Sequence, residues 1–319
     1  MKTLGIAAAV LAACATPAAG AAEQTYPSRS VRVLVGLAPG GGTDTVARLI
    51  TGKLADAFGQ TFVVDNRPSA GGNVAGELAA RAAPDGHTLI VITPTHVINP
   101  SLFRDLRYDA IKDFSAVARV VDAQYYLSVS NALPVSTLSE FLAHAKSSPQ
   151  PLSYASSGIG SANHLSGELF RTMSGLNLVH VPYKGGAPAL NALIAGEVQV
   201  SFTSSTALPH AKAGRLKTLA STGAKRSPAA PHLPTISEAG VPGYVVVGWY
   251  GIAAPAKTPS AVIARLNGEI NRALPELRGR YETIGLEIAG GTADEFSAFL
   301  KSERERWARV VKLSGAKVE

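Results

Sequence analysis

Short apolar runs alternate with amphipathic segments from residue 31 to the end of the chain. The runs at residues 31–37 and 88–92 have the length and composition of buried strands. Apolar positions that recur every three or four residues after the first run predict a helix that Thr43 caps and Gly59 ends. Because the same alternation continues beyond residue 125, the sequence predicts an α/β fold with mainly parallel strands.

The remaining elements follow from the same two patterns. Strands are predicted at residues 61–64, 88–92, 152–155, 178–181, 198–202 and 218–222. Helices are predicted at residues 74–82, 138–146, 163–173, 187–195, 260–274 and 294–314. Residues 101–114 are predicted to be irregular, and residues 224–234, which are rich in Ala and Pro, are predicted to form a surface loop.

The order of these elements predicts two lobes joined by two crossing strands. The second unit begins near residue 125, and strands near residues 117–121 and 245–253 connect it to the first. The first domain is therefore expected to be discontinuous, with residues 23–124 and 249–319 on either side of a second domain at residues 125–248. Two linkers between two α/β lobes form a hinge, and the cleft between the lobes is the expected ligand site.

The first 22 residues have the pattern of an export signal. Lys2 precedes an apolar run at residues 4–13, and an Ala-Gly-Ala cleavage pattern lies at residues 19–21. The surroundings of Cys14, the single cysteine among 319 residues, also resemble a lipoprotein cleavage site. We therefore expect the chain in the periplasm after cleavage of the signal, with lipidation at Cys14 as the alternative.

The net charge of +7 comes mainly from scattered basic residues. On the last predicted helix, arginines at positions 304, 306 and 309 alternate with Glu303 and Glu305. This pattern is typical of a solvated helix face, so no nucleic-acid partner is predicted. The mild positive excess favours anionic small molecules.

A first glycine-rich turn stands between a predicted strand and a predicted helix. It contains Gly40, Gly41 and Gly42, followed by Thr43 and Asp44. The N–H groups at a helix N-terminus carry partial positive charge and have no intrahelical acceptor, so this turn is a candidate anion site. A plain tight turn is the alternative. A P-loop is not indicated, because no Gly-Lys-Ser/Thr follows.

A second turn of the same kind follows the predicted strand at residues 152–155. It contains Ser156, Gly158, Gly160 and Ser161. Its hydroxyl groups suit a carboxylate better than a pyrophosphate, and Asn163 stands where a dinucleotide fingerprint has its third glycine. Two such turns in different lobes predict that the lobes close on one anionic ligand.

Further candidate ligand contacts lie at the carboxyl ends of predicted strands or in neighbouring turns, where ligands of open α/β sheets bind. They are Thr93, His96, Tyr183, Ser204 and Ser205. Four of them have a structural alternative: His96 as a buried core histidine, Ser204 and Ser205 as helix caps, and Tyr183 as part of a turn.

Sequence motifs for catalysis and metal binding are absent. The chain has no Gly-x-Ser-x-Gly elbow, no His-Glu-x-x-His and no pair of histidines four residues apart. We therefore expect no cofactor, no metal and no enzymatic activity. A periplasmic α/β hydrolase that uses Ser161 and His164, which share a predicted helix face, is the alternative.

The order of several motifs resembles the Bug-type solute receptors of tripartite tricarboxylate transporters, from about Tyr26 to the C-terminus. The motifs are Tyr26-Pro27-Ser28-Arg29, Pro39-Gly40-Gly41-Gly42-Thr43-Asp44, Asp65-Asn66-Arg67-Pro68, Gly71-Gly72-Asn73, Asn99-Pro100, Tyr154-Ala155-Ser156-Ser157-Gly158, Gly160-Ser161, His164-Leu165, Val181-Pro182-Tyr183-Lys184-Gly185, and Trp249 with Ala254-Pro255.

The resemblance implies a periplasmic receptor with the two-lobed periplasmic-binding-protein (Venus-flytrap) architecture. Such a receptor captures a small carboxylate with backbone amides and ordered waters and passes it to the membrane subunits of a transporter. We expect a monomer. A receptor that serves a sensor protein instead of a transporter is the alternative.

The chain departs from this family pattern at two places. Ser69 stands where the family usually has Gly, and residues 201–205 contain no acidic side chain. Because the ammonium group of an amino acid needs a counter-charge, we expect a plain dicarboxylate or an aromatic carboxylate rather than an amino acid.

Overall fold

The computed structural model describes residues 26–183 and 185–314, and within them the chain forms eleven strands and nine α-helices. The strands are β1 (Val31–Val35), β2 (Phe62–Asn66), β3 (Thr88–Ile92), β4 (Phe114–Gln124), β5 (Tyr126–Val129), β6 (Leu152–Ser156), β7 (Leu178–Pro182), β8 (Val200–Thr203), β9 (Lys217–Ser221), β10 (Val247–Pro255) and β11 (Leu286–Ile288). The helices are α1 (Gly42–Phe58), α2 (Asn73–Ala80), α3 (Pro94–Leu102), α4 (Leu138–Ser147), α5 (Ala162–Ser174), α6 (Gly186–Ala195), α7 (Leu208–Lys212), α8 (Ser260–Thr283) and α9 (Ala293–Ser314).

The predicted export signal, including Cys14, lies outside the described residues, and so does Lys184. None of the helices in the described ranges is long and apolar enough to cross a membrane.

The first lobe is built on a six-stranded sheet with the order β11-β4-β10-β3-β1-β2. Strand β1 runs parallel to β2 and β3, whereas β10 runs antiparallel to both β3 and β4. Helices α1 and α8 cover one face of this sheet, and α2, α3 and α9 cover the other. Both faces are therefore buried, as the apolar composition of β1 and β3 predicts.

The second lobe is built on a five-stranded sheet with the order β7-β6-β8-β5-β9. Strands β6, β7 and β8 are parallel, and β5 is antiparallel to β8 and β9. Its core is rich in aromatic rings: Phe170 packs against Phe141, Phe202 and Tyr244. Because parallel strands end at the same edge, the turns after β6, β7 and β8 lie together.

The chain crosses between the lobes twice, so the predicted two-lobed architecture is confirmed. On the outward path, only Tyr125 separates β4 of the first sheet from β5 of the second. On the return path, Val246 still donates its N–H to the Thr222 carbonyl group beside β9, and β10 then begins in the first sheet at Val247. Strands β4 and β10 pair along their length, so the two crossings are adjacent.

Helix α9 of the first lobe also packs against α5 of the second, so the lobes share a hydrophobic core. Between these helices lies the chain segment before β10, where the Tyr244 hydroxyl donates to the Ser166 carbonyl group of α5 (3.0 Å). The second glycine-rich turn, which precedes α5, is therefore connected through that helix to the first lobe.

The prediction of a solvated face on the last helix is wrong at Glu303, which is 4% exposed. Its Oε2 accepts hydrogen bonds from the indole N–H groups of Trp249 (3.1 Å) and Trp307 (3.0 Å). Arg306 donates to Glu303 Oε1 (3.0 Å) and to the Val245 carbonyl oxygen. This carboxylate can be buried because neutral donors satisfy one of its oxygens and a charged donor satisfies the other.

Three other predictions about local structure need correction, and one strand was missed. Residues 94–102 form the helix α3, with Pro94 in its first turn, and its last two residues fall in the stretch predicted to be irregular. Helix α8 continues past Pro275, although the predicted helix ended before it. The short strand β11 was not predicted. The predicted surface loop at residues 224–234 buries Ala230 and Leu233 against Tyr126.

Candidate functional site

The first glycine turn ends at the N-terminus of α1. The N-cap is Gly41, in an extended conformation and without a side-chain cap, so the prediction that Thr43 caps this helix is wrong. Thr43 is the second helical residue and is buried. The first N–H groups of α1, beginning at Gly42, therefore have no intrahelical acceptor and no capping side chain. They are available to an anion.

The Asp44 side chain, in the first turn of α1, stabilises the glycine turn by hydrogen bonding. Its Oδ2 accepts from the N–H of Gly40 (3.0 Å) and from Arg48 Nε (2.8 Å). The hydrogen bond from Arg48 lowers the pKa of this carboxyl group, so Asp44 is ionised at neutral pH. Its Oδ1 is buried and has no hydrogen-bond partner among the described residues. The N–H of Gly40 is therefore occupied by Asp44, and the donors left for a ligand lie further along the turn.

Thr93 and His96 lie beside this turn, at the end of β3 and the start of α3. With Thr43, Thr95 and Tyr108 they line a cavity of about 20 Å³, which is room for one water molecule. His96 Nε2 lies 3.0 Å from the Ala110 carbonyl oxygen. Burial lowers the pKa of His96 to about 4, so the ring is neutral at physiological pH. One of its two ring nitrogens therefore contacts the backbone and is not available to a ligand.

The second glycine turn is held by its own side chains. The N–H of Gly158 donates to Ser156 Oγ (3.1 Å), and the N–H of Gly160 donates to His164 Nδ1 (3.1 Å). The Gly158 carbonyl oxygen accepts from Ser161 Oγ (2.6 Å) and from the Ser161 N–H. The donors that remain for a ligand are therefore mainly in the first turn of α5, after its N-cap Ser161.

Two stacked histidines lie directly behind this turn. The rings of His164 on α5 and His180 on β7 are 4.0 Å apart, and His180 Nε2 lies 2.6 Å from Ser156 Oγ. Because His164 Nδ1 accepts a hydrogen bond, its proton is on Nε2. Burial lowers the pKa of both rings, that of His180 to about 3 with a further contribution from His164. The pair is therefore neutral.

This geometry removes the support for a hydrolase that uses Ser161 and His164. The Ser161 hydroxyl donates to the Gly158 carbonyl oxygen, and its contact with His164 is to the backbone N–H. The ring nitrogen of His164 that could act as a base already accepts from Gly160. Nothing in this arrangement activates a serine nucleophile.

The other predicted contacts in the second lobe divide between two places. Tyr183 lies beside the second turn, because its N–H donates to the Ser156 carbonyl oxygen (3.0 Å). Ser204 is paired with Thr206 (2.7 Å). Ser205 Oγ donates to the Ile284 carbonyl oxygen (2.5 Å) at the turn between α8 and β11. That turn leads into β11, which lies on the other side of the crossing strands β4 and β10 from β3 and β1. Ser205 therefore contacts the first lobe at a place away from the first glycine turn.

The second glycine turn reaches the first lobe at α3. A Cβ added at Gly160 would lie only 2.6 Å from Leu102 Cδ1. Two residues of the family motifs, which were not among the candidate ligand contacts, stabilise the surface beside this contact. Asn99 on α3 donates to the Gly71 carbonyl oxygen (2.8 Å) and to Asn73 Oδ1 (2.5 Å). The Gly-Gly-Asn sequence after β2 is the signal that could have identified them.

Within residues 26–183 and 185–314 there is no group of three or more His, Cys, Asp or Glu side chains that could hold a metal ion. The polar groups that converge are backbone N–H groups, hydroxyls and neutral histidines. Such donors suit a small anion that accepts hydrogen bonds.

The comparisons with known proteins agree with this geometry. The family described as "Tripartite tricarboxylate transporter family receptor" matches residues 46–316. The chain is 33% identical to Protein BugT of Bordetella pertussis over 315 residues, which cover 97% of each protein.

Two similar solved structures contain small carboxylates. The protein Rpa4515 of R. palustris, solved with adipate, is 37% identical, with a TM-score of 0.84 over 92% of this chain and all of that one. MatC from Rhodopseudomonas palustris, solved with bound malate, is 36% identical, with a TM-score of 0.79 over 90% of this chain and all of that one.

Proposed function

We propose, because the chain belongs to the tripartite tricarboxylate transporter receptor family, that it captures a small carboxylate between its lobes and delivers it to the membrane subunits of such a transporter. The family consists of solute receptors, so the chain is a solute-binding protein and not an enzyme. The resemblance to Bug-type receptors is confirmed by the relationship to BugT.

The observation that carries this proposal is that both glycine turns end at helix N-termini in different lobes. Helix α1 begins without a side-chain cap, and α5 begins after a turn whose own N–H groups are already bonded. A carboxylate between them would accept from the first turns of both helices and gain from both helix dipoles. Because only the closed form offers both sets of donors, binding favours closure.

We further propose a plain dicarboxylate as the ligand. Adipate and malate, which are bound to the two similar receptors, are both dicarboxylates. The turn after β8 lies beside the second glycine turn, because β6 and β8 are adjacent parallel strands, and it offers hydroxyl groups and no acid. An ammonium group on the ligand would therefore find no counter-charge in this turn.

The domain boundaries and the location are part of the same proposal. We propose residues 23–124 and 249–319 as one domain and residues 125–248 as the other; the division of the strands between the two sheets supports this, although β10 of the first sheet already begins at Val247. After removal of the signal at residues 1–22, the monomer acts in the periplasm, as expected for a receptor of this family.

The test is a thermal-shift screen of the mature protein, followed by calorimetry. Ligands that bind only the folded state raise the melting temperature by mass action. We expect dicarboxylates such as adipate and malate to raise it, and inorganic phosphate and glucose to leave it unchanged. Stabilisation by phosphate or glucose but by none of the carboxylates would overturn the proposal.

A further inference from the structure

Tyr250 lies on the crossing strand β10, three residues after the strand begins at Val247. Its neighbour Trp249 faces the α9 side of the sheet and packs against Phe296, whereas Tyr250 packs with the residues of the α1 side. The pairing of β10 with β4 shifts register between Tyr250 and Gly251. Such irregularities change the direction of a side chain and are common next to binding sites.

The Tyr250 hydroxyl lies against the first residue of α1. A Cβ added at Gly42 would be 2.8 Å from Tyr250 Oη and 3.6 Å from its Cζ. The hydroxyl group therefore occupies the same small region as the free N–H groups at the start of the helix. Only glycine at position 42 leaves that region open.

Tyr250 Oη has no hydrogen-bond partner among the described residues, unlike the hydroxyls of three buried tyrosines in the second lobe. Tyr126 is bonded to Ser227, Tyr154 to Glu168, and Tyr244 to Ser166. Burial raises the pKa of Tyr250, so the hydroxyl keeps its proton and can donate it. A partly buried phenol usually has an acceptor.

The charged and titratable groups around this position do not oppose the binding of an anion. The carboxylate of Asp44 is neutralised by Arg48 on the same helix. Tyr125, at the other crossing, is the titratable group that interacts with Tyr250, and burial raises its pKa as well. Both phenols are therefore neutral donors at physiological pH.

We propose that Tyr250 binds the ligand directly, by donating its hydroxyl hydrogen to the carboxylate that the N-terminus of α1 holds. This inference rests on the proposed function and adds a side-chain donor that no sequence motif indicates. The acceptor is charged, so the hydrogen bond is stronger than one between neutral groups. Because Tyr250 is on a crossing strand, it reaches the ligand from the floor of the cleft, independently of the glycine turn in the second lobe.

The test compares Tyr250→Phe with Tyr281→Phe, using calorimetry with a panel of adipate, malate, succinate, citrate and benzoate. Tyr281 is a buried tyrosine whose hydroxyl lies 3.5 Å from the Val46 carbonyl oxygen, in the core between α1 and α8. We expect Tyr250→Phe to weaken binding of the best panel member about 10- to 100-fold, the usual cost of a lost hydrogen bond to a charged group. Tyr281→Phe should bind like the wild type.

The melting temperature of the ligand-free protein provides the second measurement. Since the Tyr250 hydroxyl has no acceptor in the described protein, its removal should leave that temperature unchanged. Equal affinity of wild type and Tyr250→Phe for a ligand that the wild type binds would overturn this inference alone. A drop in the ligand-free melting temperature that matches the loss of affinity would also overturn it, by assigning a structural role. If the wild type binds none of the panel, the proposed function and this inference both fail.

Discussion

Leu102 on α3 fills the space that a side chain at Gly160 would need, so the two lobes meet at a position where one of them has no side chain. Gly160 also has a φ of +79°, which side chains other than hydrogen disfavour. The contact lies inside the second glycine turn. The fit of that turn against the first lobe therefore depends on this glycine.

Gly160→Ala should weaken ligand binding and lower stability. The backbone conformation alone costs about 1 kcal/mol or more, and the clash with Leu102 adds to it. Gly175→Ala is the matched control, because Gly175 has a similar φ of +69° and open space where a Cβ would stand. Calorimetry and urea unfolding should show a larger effect for Gly160→Ala in both. In the double variant with Leu102→Ala, the loss of affinity should be smaller. Equal losses of affinity and stability in Gly160→Ala and Gly175→Ala would contradict the contact between Gly160 and Leu102.

Gly41→Val should abolish binding while the protein stays folded. Gly41 has an extended backbone, and the nearest atom to an added Cβ is the Ala38 carbonyl oxygen at 3.7 Å. The side chain therefore fits, but it covers the free N–H groups of α1. Circular dichroism checks the fold and calorimetry the affinity, with Gly41→Ala expected to be intermediate. A folded Gly41→Val variant that binds as tightly as the wild type would show that the ligand lies elsewhere.

The buried histidines should make the fold sensitive to acid. The pKa of His96 is lowered to about 4, whereas it is about 6.5 in the unfolded chain. Above pH 6.5 neither state binds the proton, so His96 adds no pH dependence. As pH falls from 6.5 towards 4, only the unfolded state gains the proton, and the free energy of unfolding falls.

This acid sensitivity can be measured by urea unfolding between pH 7.5 and 5. Titration of His96 contributes up to about 1.4 kcal/mol per pH unit within this window. His96→Leu should reduce the slope of stability against pH, even though it lowers stability at pH 7.5 by removing the contact with Ala110. His232→Asn, at an exposed position, is the control and should keep the wild-type slope. If His96→Leu showed the same slope of stability against pH as the wild type, this would contradict the assignment of His96 as a buried neutral ring.

Glu303→Gln should destabilise the protein by about 1–3 kcal/mol. The amide has one acceptor oxygen where the carboxylate has two, and its N–H₂ group would face either the indole donors or Arg306. Glu305→Gln is the control, because Glu305 is two residues away and exposed, and its cost should stay within about 0.5 kcal/mol. Urea unfolding measures both. If the two variants were equally stable, the buried contacts of Glu303 would be of little energetic importance.

Local sequence rules predicted much of the fold and part of the site. Gly59 and Gly196 end their helices in the left-handed conformation, as expected for C-terminal glycines. Helix α3 was not predicted, although a proline in the first turn, such as Pro94, lacks only a hydrogen bond that the helix does not use.

Long-range contacts could not be predicted in this way. The indole donor of Trp249 is far from Glu303 in sequence, so nothing nearby indicates that this acid is buried. Tyr250 and Gly42 are likewise brought together only by the pairing of β10 within the sheet. The hydrogen bond from Gly160 to His164, by contrast, joins residues only four positions apart, so local sequence rules could have predicted it.

The shared core of α5 and α9 has a consequence for how the chain folds. One continuous hydrophobic cluster includes Leu34 in the first sheet, Phe202 in the second and Val311 near the end of α9. Residues 125–248 expressed alone would leave the α9-facing side of α5 in water, so neither lobe is a self-sufficient folding unit. The second lobe therefore reaches its final packing only once α9 is in place, and the two lobes take up their final arrangement at the same moment.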